Sequence, residues 1–219
     1  MPVIHIFGSS HVRDHHDLPS VFTEKYEHME DSFQKKFNLG TAKGHSGGRI
    51  SNSKITNEFV TIAADTAKEQ GYQGQIVFLL LGTNDWSSPE VTEPIFTSNY
   101  KKLVDRLLAI PHTAVVLTGL VPREESNAFP GKRTDMRIPT KIVRMMASSY
   151  MKDGKMVRFV PVHEFILETG SGDRREQRSV KQGALKDGTH MAKTTVEDVA
   201  GAILFAIKKM PGVWFPKLQ

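Results

Sequence analysis

Ile76-Val77-Phe78-Leu79-Leu80-Leu81 is an unbroken apolar run, stopped by Gly82-Thr83-Asn84-Asp85. A strand with one wet face alternates apolar and polar residues. A run that is apolar at every position suits a strand covered on both faces, as in a parallel sheet. Working outward from it, further strands are predicted over residues 3–7, 38–43, 113–118 and 156–160. Between them, apolar residues at three- and four-residue steps predict helices over 20–37, 53–70, 99–110, 138–151 and 194–210. Gly71 supplies the stop after the second helix. Strands alternating with helices indicate βαβ units and a sheet with helices on both sides. The expected architecture is therefore a three-layer α/β/α fold on a mostly parallel five-stranded sheet, one domain over residues 1–219.

The bulk composition agrees. Hydrophobic residues at 39% of 219 positions are enough for a sizeable core. The chain has no cysteine, which excludes disulfides, a thiol nucleophile and thiolate metal sites. No apolar run approaches the roughly 18 residues of a membrane span. Met1-Pro2 leads directly into a strand-like run with no basic and apolar leader, so a soluble, intracellular protein is expected. The net charge of +5 is moderate and fits lysines dispersed on helices, while favouring acidic partners by long-range steering.

In open parallel sheets, ligands bind beyond the carboxyl ends of the strands. Four short patches fall near such ends or near the C-terminus: Gly8-Ser9-Ser10, Gly44-His45-Ser46-Gly47-Gly48, Gly82-Thr83-Asn84-Asp85 and Asp187-Gly188-Thr189-His190. Together they describe acyl-transfer chemistry. A serine hydroxyl needs a base to take its proton, and a histidine base needs a carboxylate to hold its tautomer. Ser10, His190 and Asp187 fill those roles. The developing oxyanion needs donors fixed in advance, and the candidates are the Ser10 N–H, the Gly47 N–H and the Asn84 amide. The register Gly-x-Ser selects Ser10 over Ser9.

These four patches, in this order, resemble the SGNH/GDSL hydrolase family. The resemblance covers about 15 residues spread over nearly the whole chain. It implies a flavodoxin-like sheet and a serine esterase or acetylesterase working through an acyl-enzyme on Ser10, with no metal or organic cofactor. The implied substrate is a small acyl ester, and the lack of a long apolar lid segment favours short acyl chains. One departure stands out: the family's aspartate before the serine is Ser9 here. The Gly-x-Ser-His patch and the basic, cysteine-free chain are also similar to the esterase domains of some LINE-type retrotransposons. That closer likeness would imply contact with a lipid or anionic surface, and it leaves nucleic acid open as a partner.

Other residues carry two readings each. Trp86 is a hydrophobic wall for an acyl group or a cover for the sheet edge. His11 and His45 touch substrate or hydrogen-bond their own loops. His5 reads as a core residue, and His11, His15 and His16 as a surface cluster rather than a metal site, since no H-E-x-x-H spacing accompanies them. Arg13, Arg49 and Arg123 lie on loops near the active edge and would favour an anionic substrate if they converged. The aperiodic segments 122–137 and 169–186 are candidate walls or lids. The apolar tail Val213-Trp214-Phe215-Pro216 packs back on the domain or into a partner subunit. The competing function is a non-catalytic lipid-, glycan- or nucleic-acid-binding module on the same fold, motivated by Ser9 and the positive charge. A nucleotide-binding domain is disfavoured because neither G-x-G-x-x-G nor G-x-x-x-x-G-K-[ST] occurs.

Overall fold

A computed structural model of the 219-residue chain describes residues 1–12, 18–34, 36–124, 133, 135–168 and 179–210, with backbone alone at Ser32 and Phe33. Five strands form its sheet: β1 (Val3–Gly8), β2 (Asn38–Gly44), β3 (Gln75–Leu80), β4 (Thr113–Thr118) and β5 (Val157–Val160). Their order is β2-β1-β3-β4-β5, and all four pairings are parallel. The first crossover therefore leads to one side of β1 and the second to the other. Such a reversal opens a crevice between the carboxyl ends of β1 and β3.

The apolar run in β3 explains the two cores. Ile76, Phe78 and Leu80 face one cluster with Ile4 and Ile6 of β1. It is covered by Leu18, Val21 and Phe22 of α1 (Leu18–Glu27) and by Val199, Ile203 and Ile207 of α7 (Lys193–Lys208). Val77, Leu79 and Leu81 face the other cluster. That side is covered by α3 (Ser53–Thr66), α5 (Glu93–Leu108) and α6 (Arg137–Lys152) through Phe59, Tyr100 and Val143. Side chains of this size each contribute about 1.5–3 kcal/mol when fully buried.

The helix expected over 20–37 is broken. It ends at Glu27, and a single turn, α2 (Asp31–Gln34), follows. The break is held by side chains: Gln34 Nε2 donates to the carbonyls of Glu27 and Met29, both at 2.8 Å, and the Tyr26 hydroxyl bonds the Phe37 carbonyl. The helix expected from 99 begins at Glu93, with Thr92 at its N-cap. Pro94 is accommodated in its first turn, where a missing N–H costs nothing. The remaining helices and strands match expectation within a few residues at each end.

His5 sets the register of the edge. Ile4 pairs with Leu39 but Ile6 with Ala42, so β2 carries one extra residue opposite His5. The freed Thr41 N–H donates to His5 Nδ1 at 3.0 Å. Gly40 is needed there, because a Cβ would come within 2.7 Å of the imidazole. Among the described residues, no helix is long and apolar enough to cross a membrane.

Candidate active site

Gly8 ends β1, and the chain turns at once into a short 3-10 helix, Ser10–Val12. The turn is tight: a Cβ on Gly8 would lie 2.3 Å from Val12 Cγ2 and 3.1 Å from the Leu80 carbonyl oxygen. Ser9 is buried and tied to β3 by its N–H, which donates to the Leu80 carbonyl at 3.2 Å. Ser10 is left partly exposed on the open side.

Asp187 and His190 come from a turn just before α7. The bridge between Leu185 and Met191 and the Lys186 N–H bond to the His190 carbonyl, 2.8 Å, close that turn. Within it Asp187 Oδ1 accepts the backbone N–H groups of Thr189 and His190 at 3.0 and 2.7 Å. Its other oxygen, Oδ2, lies 2.6 Å from His190 Nδ1. His190 Nε2 then lies 3.0 Å from Ser10 Oγ. With Nδ1 protonated and donating to Asp187, Nε2 is the acceptor for the serine hydroxyl. Burial alone would raise the Asp187 carboxyl, but the bond from the His190 ring and those from the two backbone N–H groups outweigh it and hold it at about 2.

The third arm follows β3. Gly82, at φ +111°, turns the chain into α4 (Thr83–Trp86), with Phe96 and Leu120 packed where a Cβ would stand. Asn84 Nδ2 donates to the Gly48 carbonyl at 3.1 Å, and Asn84 Oδ1 accepts from Arg123 Nη2 at 2.6 Å. Gly48 belongs to the turn after β2, where Gly47 takes φ +63° with open space beside it. The two loops are joined from below by Asp85. It is 1% exposed, and its carboxylate accepts the N–H groups of Ile50 and Ser51 at 2.8 and 3.0 Å. Burial pushes its carboxyl up, a shift the two N–H groups only partly offset.

Comparison with solved structures places this architecture. The lipase/acylhydrolase from Enterococcus faecalis aligns over 100% of both chains with a TM-score of 0.65 and 17% identity. The family 3 carbohydrate esterase from Clostridium thermocellum aligns over 94% of this chain and 98% of its own, with a TM-score of 0.62 and 15% identity. The GDSL-like lipase from Bacteroides thetaiotaomicron covers 94% and 88%, with a TM-score of 0.56 and 19% identity. The chain has the SGNH hydrolase fold. No family model and no curated protein sequence matches it.

On this SGNH fold, Ser10, His190 and Asp187 form one hydrogen-bonded line, and Asn84 and the 47–48 turn are linked beside it. The secondary candidates are placed differently. Trp86 is 5% exposed, edge-on to Phe96, capped by the Arg133 guanidinium and bonded through Nε1 to the Asp135 carbonyl, so it covers the sheet edge. His45 sits with Nε2 2.7 Å from Glu58 Oε2, held toward α3. His11 is buried with its ring edge against His190, centroids 5.5 Å apart. Of the arginines, Arg123 meets Asn84, Arg49 is close enough to Asp85 to offset part of the burial-driven rise of its carboxyl, and Arg13 lies outside the described residues. His15, His16, the 213–216 tail, residues 125–132 and 134, and residues 169–178 also lie outside them. Sequence reasoning missed the Asn84–Arg123 pair and the Glu124 N–H bond to the Gly188 carbonyl, 2.9 Å. Neither contact leaves a spacing signal.

Proposed function

We propose that the chain is a serine hydrolase of the SGNH/GDSL family that cleaves carboxylic esters with short acyl groups. The observation that carries this reading is the line Ser10 Oγ, His190 Nε2, His190 Nδ1 and Asp187 Oδ2: a 3.0 Å bond joins opposite ends of the chain at Ser10 and His190, and a 2.6 Å bond within one turn joins His190 to Asp187. In the reaction, Ser10 Oγ passes its proton to His190 Nε2 and bonds to the ester carbonyl carbon. Asp187 stabilises the imidazolium without taking its proton. The negative oxygen of the tetrahedral intermediate accepts from the Ser10 N–H, the Gly47 N–H and the Asn84 amide. Such a donor is worth roughly 3–4 kcal/mol of barrier. As the intermediate collapses, the C–O bond to the alcohol breaks and His190 returns the proton to the leaving oxygen. Water then attacks the acyl-Ser10 ester by the same path in reverse, releasing the acid and the free serine.

Ser9, in the family's aspartate position, is bonded into the sheet and takes no part in the line. The test is hydrolysis of p-nitrophenyl esters from acetate to decanoate by wild type and Ser10→Ala. Turnover that peaks at short chains and drops at least about 1000-fold in the variant, with an unchanged Tm, is the expected result. A folded wild type without hydrolysis would favour the binding module instead.

A further inference from the structure

Arg123 stands on the segment that leaves β4, half-buried beside the oxyanion arm. Its environment is unusual for a cation. Among the described residues no carboxylate pairs with it, its Nε is buried without an acceptor, and its one bond is from Nη2 to Asn84 Oδ1 at 2.6 Å. Burial pushes its pKa down, yet a guanidinium keeps its proton at any pH the fold meets. Desolvating an unpaired charge is costly, so a purely structural arginine would normally be found with an acid.

The amide it touches is constrained on both sides. Asn84 Oδ1 is held by the cation, and one Nδ2 proton is taken by the Gly48 carbonyl at 3.1 Å. A flip of the amide would set Nδ2 against the guanidinium and Oδ1 against a carbonyl, replacing two attractions by two repulsions. The second Nδ2 proton is thus left for a substrate oxygen. A positive charge behind the carbonyl also polarises the amide and strengthens that N–H as a donor.

Resting on the acyl-transfer reading above, we propose that Arg123 is a positioning residue of the oxyanion arm, locking the orientation of the Asn84 amide and strengthening its free N–H. The adjoining Glu124 N–H holds the Gly188 carbonyl, so the same segment also steadies the Asp187–His190 turn. The alternative, that Arg123 binds an anionic group of the substrate directly, makes an opposite prediction.

The experiment is a double-mutant cycle on p-nitrophenyl acetate, with kcat and KM measured for wild type, Arg123→Met, Arg123→Lys, Asn84→Ala and both double variants. Arg123→Met is expected to lower kcat about 10- to 100-fold, as for loss of a charge-assisted hydrogen bond, with KM little changed. Arg123→Lys should recover part of that loss. In the Asn84→Ala background, both Arg123 substitutions should cost no more than about two-fold, because their target is gone. An undiminished loss in that background, or a loss confined to KM, would overturn the proposal. Should Arg123→Met fail to fold, the Arg123→Lys cycle decides by the same criterion. Wild-type hydrolysis that survives Ser10→Ala defeats the acyl-enzyme reading; where Ser10→Ala abolishes it, the cycle bears on Arg123 alone.

Discussion

Asp187 shows how one carboxylate serves both its own turn and the orientation of the His190 ring. Its Oδ1 closes the turn on two backbone N–H groups, while Oδ2 holds the His190 ring. These bonds place its folded value at about 2 against an ordinary 3.8. Because the folded value is the lower one, its contribution to stability is fully present above the ordinary value and is lost as pH falls through about 2. Wild type should therefore melt above Asp187→Asn at neutral pH, and the two curves should meet near pH 2. The side chain is 49% exposed, so the gap will be modest, about 1 kcal/mol or less. A gap that persists at the acid end would show that the turn does not depend on the charge. At this scale the residue types were legible in the sequence, since Asp-x-x-His and Gly-x-Ser are local. The partner of Asn84 was not, because Arg123 reaches it only by folding.

At the level of elements, the site is the meeting of four loops that leave the same edge of one sheet. Asp85 is the joint between two of them. It sits in α4 after β3 but satisfies Ile50 and Ser51 on the segment that follows β2. A buried N–H left without an acceptor costs about 1–3 kcal/mol, and since Ile50 is buried while Ser51 is exposed to water, Asp85→Ala should lower stability by roughly 1–3 kcal/mol. It should also reduce kcat, because the Gly47–Gly48 turn and Asn84 would no longer move as one body. Chemical denaturation together with steady-state kinetics checks both, and an unaltered kcat in a destabilised protein would separate anchoring from catalysis. The central strands β1, β3 and β4 were readable because their apolar runs are local signals. The break after Glu27 was not: the stripe Val21, Phe22, Tyr26 and Met29 continues past it, while the Gln34 amide that captures the Glu27 and Met29 carbonyls gives no periodic sign.

For the molecule as a whole, the buried His5 is expected to make stability fall in mild acid. His5 lies in β1, 1% exposed, and burial lowers its pKa from 6.5 to about 4 despite the bond from Thr41. The fold therefore holds it neutral, and the unfolded chain binds a proton that the folded one refuses. Stability from this group is complete above 6.5 and drains as pH falls towards 4, by on the order of 3 kcal/mol. His5→Asn, which keeps an acceptor for Thr41, should flatten that part of the pH–Tm profile. A profile as steep as wild type would assign the acid sensitivity elsewhere. The alternation of apolar runs and helical stripes by itself determined a parallel α/β/α sheet, because burial on two faces demands continuous apolar strands. The short Gly-x-Ser, Gly-x-Asn-Asp and Asp-x-x-His patches likewise marked the residues that the fold was to gather. Tertiary structure alone decided the rest. It placed Ser10 rather than Ser9 against His190, turned Trp86 into the core, drew His45 to Glu58 and set the Arg123 guanidinium on Asn84. Those outcomes depend on contacts between residues distant in sequence, whose energies exist only once the sheet has brought its loops together.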